Sequence, residues 1–435
     1  MREIALFNII YLTAVKDQFY KAGKMKKSSI FTALSFLTVF STGAFALDLN
    51  NPLPNWVDSR REVADGKPPS IPAGLKNAPP ADFRIPAEYE PAAAVVLGWA
   101  GYTPMLAGIA KAAAGPGHAQ VWALSGPASI PGVPAASYSK LPINLDTVWV
   151  RDYGPFGLSA GTGRAGIVDT VYRHYQYRRS DDAVPTNLGK AKKIEVFAMP
   201  VILDGGNLMV DSKGNLFMTK RTYIWNSDKS EAAVNSALKS YFGVKNIYTF
   251  EYSGYPGEPA DGTGHIDMFM KLLNDHTVLI SVAGTEPFKS NSEKAMAFFK
   301  GKTAPDGQPY KIITVKAWVD GGTWYTYTNS LIVNNTAIIP SYSGKPSEEA
   351  AAKAAYEAGI SGVTVVPVPS DDSITAGGSI HCTTQLIPVL PGKALKAGDI
   401  FTETPEFQAV DVSAPVSPLR SSGNENAVDQ LVNSL

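Results

Sequence analysis

Cysteine occurs once in 435 residues, at position 382. An internal disulfide needs two thiols, so none can cross-link this chain. Histidine is scarce too, at 118, 174, 265, 276 and 381 only, so acid/base candidates are few. Neither sign of charge is in excess, with Lys+Arg and Asp+Glu at 39 each. That removes the electrostatic case for nucleic acid or an anionic membrane surface as partner. Long apolar runs are missing as well. Ile30 to Phe40 is too short to cross a bilayer comfortably, which argues against stable membrane insertion. What is present is core material, 45% hydrophobic and 10% aromatic residues.

Met25-Lys26-Lys27 opens a basic segment, the run Ile30 to Phe40 follows, and Ser41-Thr42-Gly43-Ala44-Phe45-Ala46 closes it. This is the three-part order of a secretory signal, with small residues at 44 and 46 before a cut after Ala46. A signal normally starts near its methionine, so Met25 is the expected start. Residues 1–46 then read as extension plus signal peptide, and the expected address is secreted or periplasmic. A lone thiol in an oxidising compartment is a liability unless it has a task. Residues 47–82 are rich in Pro, Asn and charge, and read as a leader lying on the surface.

From Phe83 a cycle of strand, helix and strand begins. Helices are expected over Met105–Ala114, Lys229–Phe242, Ser292–Lys300 and Ser347–Ala358, with Gly243, Gly301 and Gly359 as stops. Strands are expected over Ala94–Trp99, Ala119–Leu124, Lys193–Leu203, Lys245–Phe250, Lys311–Val319 and Val363–Val368. Glycine turns at 154, 205, 262, 321 and 377 recur about every 55 residues. Five similar units suggest a closed ring, since an open array would show atypical capping repeats. The polar residues near these turns differ from unit to unit: Asp152, then Asp204 and Asn207, then His265 and Asp267, then Asn329, then Cys382. A purely structural repeat would reuse one residue type. Divergent polar residues facing one centre read as a single composite site.

The thiolate of Cys382 is the strongest nucleophile a side chain offers near neutral pH. Gly377 and Gly378 let the backbone turn just before it, and its apolar and β-branched neighbours read as a short strand. On a strand, His381 would point to the opposite face, so it is read as structural. His265 follows a glycine turn and is the acid/base candidate; Asp267, two residues on, shares its face if the backbone is extended. No further ligand has metal-site spacing around them, so no metal is expected. Two carboxylates, Asp152 and Asp267, beside the Trp149 ring match a planar guanidinium, which forks onto carboxylates and stacks on aromatics.

The motifs Trp149-Val150-Arg151-Asp152-Tyr153-Gly154-Pro155, Gly205-Gly206-Asn207, Gly264-His265-Ile266-Asp267, Tyr327-Thr328-Asn329-Ser330 and Gly377-Gly378-Ser379-Ile380-His381-Cys382-Thr383-Thr384-Gln385 occur in this order. Together with Ile85-Pro86-Ala87-Glu88-Tyr89-Glu90-Pro91, the set resembles the agmatine deiminase / Porphyromonas-type peptidylarginine deiminase family. The resemblance implies an α/β five-bladed propeller, the pentein fold, with a pseudo-fivefold repeat of ββαβ units, and no cofactor. It implies Cys382 as nucleophile, His265 as acid/base, Asp152 and Asp267 on the guanidinium, and Trp149 packed against it. Asn329 would match an active-site asparagine, and Asp204 and Asn207 would stand beside the substrate. The implied chemistry is a thiouronium intermediate that water resolves to a ureido product after ammonia leaves.

The two branches of that family differ at the far end of the substrate. In the peptidylarginine branch, arginines hold the carboxylate of a terminal arginine. Arg173, Arg178 and Arg179 lie in the corresponding region with departed spacing, and read either as that clamp or as a solvated basic loop. The export signal and the Asn329 motif lean toward peptide arginine. Agmatine is the rival substrate, an amidinotransferase a further rival, and a binding module without chemistry the non-enzymatic one. The catalytic domain is expected over 83–395, with a tail over 396–435.

Overall fold

The computed structural model describes residues 47–69, 77–254 and 259–389. The expected signal and the tail from 396 lie outside the described residues. One compact unit starts at Asp48.

Five sheets repeat one pairing rule. A short hairpin is antiparallel, a helix follows, and the next strand returns parallel to the hairpin's second strand. Phe156–Ala160 pairs with Ala165–Val171, and across helix Val184–Lys192 the strand Glu195–Ile202 lies parallel. The same order joins Met209–Val210, Asn215–Thr219, helix Glu231–Phe242 and Asn246–Phe250. It joins Met270–Leu272, Thr277–Val282, helix Phe288–Phe299 and Lys311–Lys316. It joins Leu331–Val333, Thr336–Ser341, helix Pro346–Gly359 and Thr364–Pro369. The remaining sheet takes Thr384–Pro388 from the C-terminal side, antiparallel to Ala92–Gly98. Helix Thr103–Ala114 then leads to Gln120–Leu124, parallel to Ala92–Gly98. The last described strand thus closes onto the first sheet.

Local chemistry explains the helices. Ser230 accepts from the Ala233 N–H at 3.2 Å, capping Glu231–Phe242, and Gly243 ends it at φ 65°. Pro346 sits in the first turn of its helix with Glu348 and Glu349 at the positive end of the dipole. Each core is shared between neighbouring sheets. Leu106 and Ile109 pack with Val95 and Leu97 of their own sheet and with Leu331 and Ile338 of another. Burying each such side chain contributes about 1.5–3 kcal/mol, so the units stabilise one another rather than folding separately.

The expected helices and parallel strands are present, with ends shifted by a few residues. The hairpins were missed in the sequence, because two to seven residues give too short an alternation to read. Lys311–Val319 is not one strand. It breaks after Lys316, and Trp318–Asp320 pairs with Thr323–Tyr325 as a separate hairpin. Gly321 and Gly322 form its exposed turn at φ 56° and 83°, so the fourth glycine turn does not face the site.

Candidate active site

Every candidate catalytic residue sits immediately before the first strand of a unit. Asp152 is on the one-turn helix Val150–Tyr153 ahead of Phe156–Ala160. Asp204 precedes the 3₁₀ turn Gly205–Asn207, and Asp267 lies in the turn Ile266–Met268. Asn329 precedes Leu331–Val333, and Cys382 precedes Thr384–Pro388. Equivalent positions in five units therefore deliver five different side chains to one place.

The convergence is measurable at Gly206. A Cβ there would fall 2.5 Å from His265 Nδ1, 2.9 Å from Asp152 Oδ1 and 3.1 Å from Asp267 Oδ2. Only glycine fits, and its N–H donates to Asp152 Oδ1 at 3.0 Å. The Cys382 thiol lies 3.7 Å from the same Asp267 Oδ2. Gly378 is equally constrained, since a Cβ would sit 2.5 Å from Cys382 Sγ and 3.1 Å from the Trp149 ring. Trp149, Asp152, Asp204, His265, Asp267, Asn329 and Cys382 are all fully buried.

Cys382 is in a turn, not on the short strand expected for it. Strand alternation therefore does not separate it from His381. His381 Nδ1 bonds Asp267 Oδ2 at 2.6 Å while Nε2 bonds Glu88 Oε2 at 2.7 Å. Both neighbours in sequence converge on one carboxylate. Asn329 holds the thiol in place: its Nδ2 donates to Cys382 Sγ at 3.0 Å, and its Oδ1 accepts from the Ser379 N–H at 2.9 Å.

Burial pushes the Cys382 thiol well above its ordinary pKa, and the Asp267 and Asp152 charges push it the same way. Burial would lower the His265 pKa, but Asp152 and Asp204 outweigh it and the net shift is upward. Its Nε2 lies 3.2 Å from Asp204 Oδ2, and its Nδ1 lies 3.6 Å from Asp152 Oδ1 with no hydrogen-bond partner. Burial raises Asp152 to about 6, while Asp204, desolvated but facing Arg173 and His265, is held down at about 2. Asp152 Oδ2 and Asp267 Oδ1 are buried without a partner. Native structures pair nearly all such atoms, so two idle carboxylate oxygens beside a thiol mark a place for a cation. Asp152, Asp204 and His265 could geometrically hold a metal ion. Asp204 already carries Arg173 at 2.8 Å, and a guanidinium satisfies the idle oxygens without one.

The other expected substrate contacts divide. Arg173 stays at the site, on Asp204 and over the Trp225 ring at 5.1 Å. Arg178 is fully buried, but its guanidinium is used by Glu62 at 2.7 Å and by the Trp56 carbonyl at 2.7 Å. Arg179 reaches the Pro68 carbonyl at 2.7 Å and pairs with Asp65 at 3.4 Å. The structure places both on the leader instead of in the pocket. Asn207 spends its carboxamide within the fold, accepting from the Thr219 N–H at 2.9 Å and donating to Thr222 Oγ1 at 3.0 Å. The leader is mostly exposed, as a segment lying on the surface would be, but it is anchored by the buried Asn55 and Glu62. Arg221, over Trp225 at 5.4 Å, is a further cation near the site that the sequence did not reveal.

A buried thiol, an imidazole with a raised pKa and two idle carboxylates fit a hydrolase of guanidino groups. The chain belongs to the Porphyromonas-type peptidyl-arginine deiminase family, whose model matches residues 84–388. An agmatine deiminase of Pseudomonas aeruginosa is 25% identical over 58% of this chain and 77% of its own length. One from Medicago truncatula is 24% identical over 57% and 78%. Among solved structures, the Enterococcus faecalis agmatine deiminase superposes with a TM-score of 0.63 at 20% identity, covering 72% of this chain and 98% of that one. The C. jejuni agmatine deiminase gives 0.58 at 18%, covering 70% and 96%. The fold is the α/β pentein fold of these deiminases.

Proposed function

We propose that the protein deiminates a small free guanidine of the agmatine kind, giving the ureido product, N-carbamoylputrescine in that case, and ammonia. The observation that carries this reading is the roof over the site. Residues 48–69 cross the catalytic face, and every reacting side chain beneath is fully buried. A cover of this kind disfavours a folded polypeptide presenting an arginine more than it disfavours a slender amine. The names of the similar proteins support the same substrate class.

In this reading Asp152 and Asp267 bind the guanidinium with their idle oxygens. The bound cation lowers the thiol pKa, the S–H proton is lost to solvent, and the Cys382 thiolate attacks the guanidino carbon. His265 gives its proton to the departing nitrogen, and ammonia leaves. Water, deprotonated by His265, then attacks the thiouronium carbon, and the ureido product and free thiol are restored. Asn329 positions the sulfur. Part of this proposal is that the five sheets stand as the five blades of a propeller around the site, as their like pairing and the closing strand suggest. Export after cleavage behind Ala46 is proposed on the signal pattern, and N-terminal sequencing of protein from the medium or periplasm tests it.

A second reading is arginine itself, or peptide with a terminal arginine. Arg173 and Arg221 both stack on Trp225 and could take a carboxylate. Ammonia release from agmatine, arginine, and peptides with terminal or internal arginine separates the two. Turnover of agmatine alone supports the first reading, and turnover only of carboxylate-bearing substrates replaces it with the second.

A further inference from the structure

Residues 48–69 precede the stretch that the family model covers, yet they are tied into the catalytic face at several points. The Trp149 indole N–H donates to the Leu53 carbonyl at 3.0 Å. The Asn55 N–H donates to the Ala376 carbonyl at 2.8 Å, one residue before the glycine pair that precedes the nucleophile. The Asn55 carbonyl accepts from Arg173 Nη2 at 3.2 Å and from His174 Nε2 at 3.3 Å. The Trp56 ring lies against both glycine turns: a Cβ on Gly377 would fall 3.2 Å from it, and one on Gly262 3.6 Å. Beyond, the buried Arg178 grips Glu62 through Nε at 2.7 Å and Nη2 at 3.0 Å. A buried bidentate ion pair of this kind fixes a geometry that a surface pair does not.

Asn55 is the odd member of this strap. It is fully buried, and neither its Oδ1 nor its Nδ2 has a partner. An unpaired buried amide group is destabilising, so folding alone gives no reason for a carboxamide here. Its Cβ is 3.1 Å from where a Gly377 Cβ would stand, and Gly378, the next residue, abuts the Cys382 sulfur. Asn55 is held between the Gly377–Gly378 turn and Arg173, on the side of the face that carries the idle atoms of Asp152, His265 and Asp267. Those three account for the guanidino end of a ligand. The carboxamide, on the Arg173 side, is left for the rest of it.

We propose that residues 48–69 complete the substrate site, and that Asn55 is a specificity-determining contact to the polar group at the substrate end remote from the thiol. This rests on the guanidine reading above. Its consequence is that the strap opens for entry and closes over bound ligand, so the deiminase domain alone does not carry the full binding site.

Calorimetric titration of agmatine into the full chain carrying Cys382→Ser provides the test. Adding Asn55→Ala weakens binding about tenfold, the loss expected for a hydrogen-bonding side chain. Val63→Ala, on the same strap but 86% exposed, leaves the affinity unchanged. In the active enzyme, Asn55→Ala raises KM and leaves kcat nearly unaltered, because Asn55 does not touch the reacting carbon. Asn55→Asp, of the same shape, shifts preference toward agmatine over arginine and guards against a misfolded alanine variant. Agmatine also slows amide exchange across 48–69 in the Cys382→Ser protein. Equal affinity with Asn or Ala at 55, unchanged preference with Asp, or unchanged exchange overturns the proposal while leaving the guanidine reading intact. Failure of Cys382→Ser to bind any guanidine would instead sink that reading.

Discussion

Two clusters of buried charge meet at Asp267, and they are built oppositely. Around Glu88 every charge is answered. Its carboxylate takes Lys271 and His381, reaches Arg151 Nη2 at 3.3 Å, and accepts the Ile332 N–H at 2.8 Å. Although burial works against ionisation, Lys271, His381 and Arg151 hold Glu88 well below the usual carboxylate range. Around Cys382 the charges are left open, with idle oxygens on Asp152 and Asp267 and an idle nitrogen on His265. The lesson is that burial and ionisability alone do not mark a site. Several unanswered atoms gathered around one thiol do, whereas single ones such as Asn291 Nδ2 and Thr336 Oγ1 stand alone elsewhere in the fold.

Four measurements sharpen or break this contrast. The largest effect belongs to Cys382→Ser, which should lower kcat at least about a thousandfold with little change in melting temperature. Retention of most activity would remove the covalent step. Next, Glu88→Gln should destabilise the protein by about 3–5 kcal/mol in urea unfolding, since Lys271 and Arg151 lose their counter-charge. A melt like wild type would mean that the answered cluster is idle after all.

Asp152→Asn should do the reverse. It should cost about a hundredfold in kcat/KM while the ligand-free protein melts no lower, because an unanswered charge has been removed. Parallel loss of stability and activity would erase the distinction between the clusters. The smallest effect is with pH. Guanidinium binding needs Asp152 ionised, so kcat/KM should fall about tenfold per unit below its pKa of about 6. Stability should show opposite signs in the two places. Glu88, depressed on folding, contributes above its unfolded pKa and loses that contribution on acidification. Asp152, raised on folding, contributes below its unfolded pKa of 3.8 and loses that contribution as pH rises through about 6. Comparing urea unfolding of Glu88→Gln and Asp152→Asn across this range checks both signs.

Much of the site was legible in the chain. Cys382, His265, Asp152, Asp267 and Asn329 stood out as polar residues near the recurring glycine turns, and the structure brings them together. Arg178 and Asn207 did not fit the pattern, since a side chain's partner across 116 residues, as Glu62 is to Arg178, leaves no local trace. Asn55 had no signal at all, because the leader has neither periodicity nor charge order to betray its place.

The linear order of residues determined the helices, the parallel strands and the unit length, because those follow from local periodicity and from glycine and proline punctuation. It also determined which side chains could react. Tertiary structure alone decided which polar atoms would be answered and which left idle. It also decided that the leader would bond to Trp149, Arg173 and Ala376 beside the thiol. Hydrogen bonding and burial are properties of neighbours in space, and those neighbours come from units hundreds of residues apart.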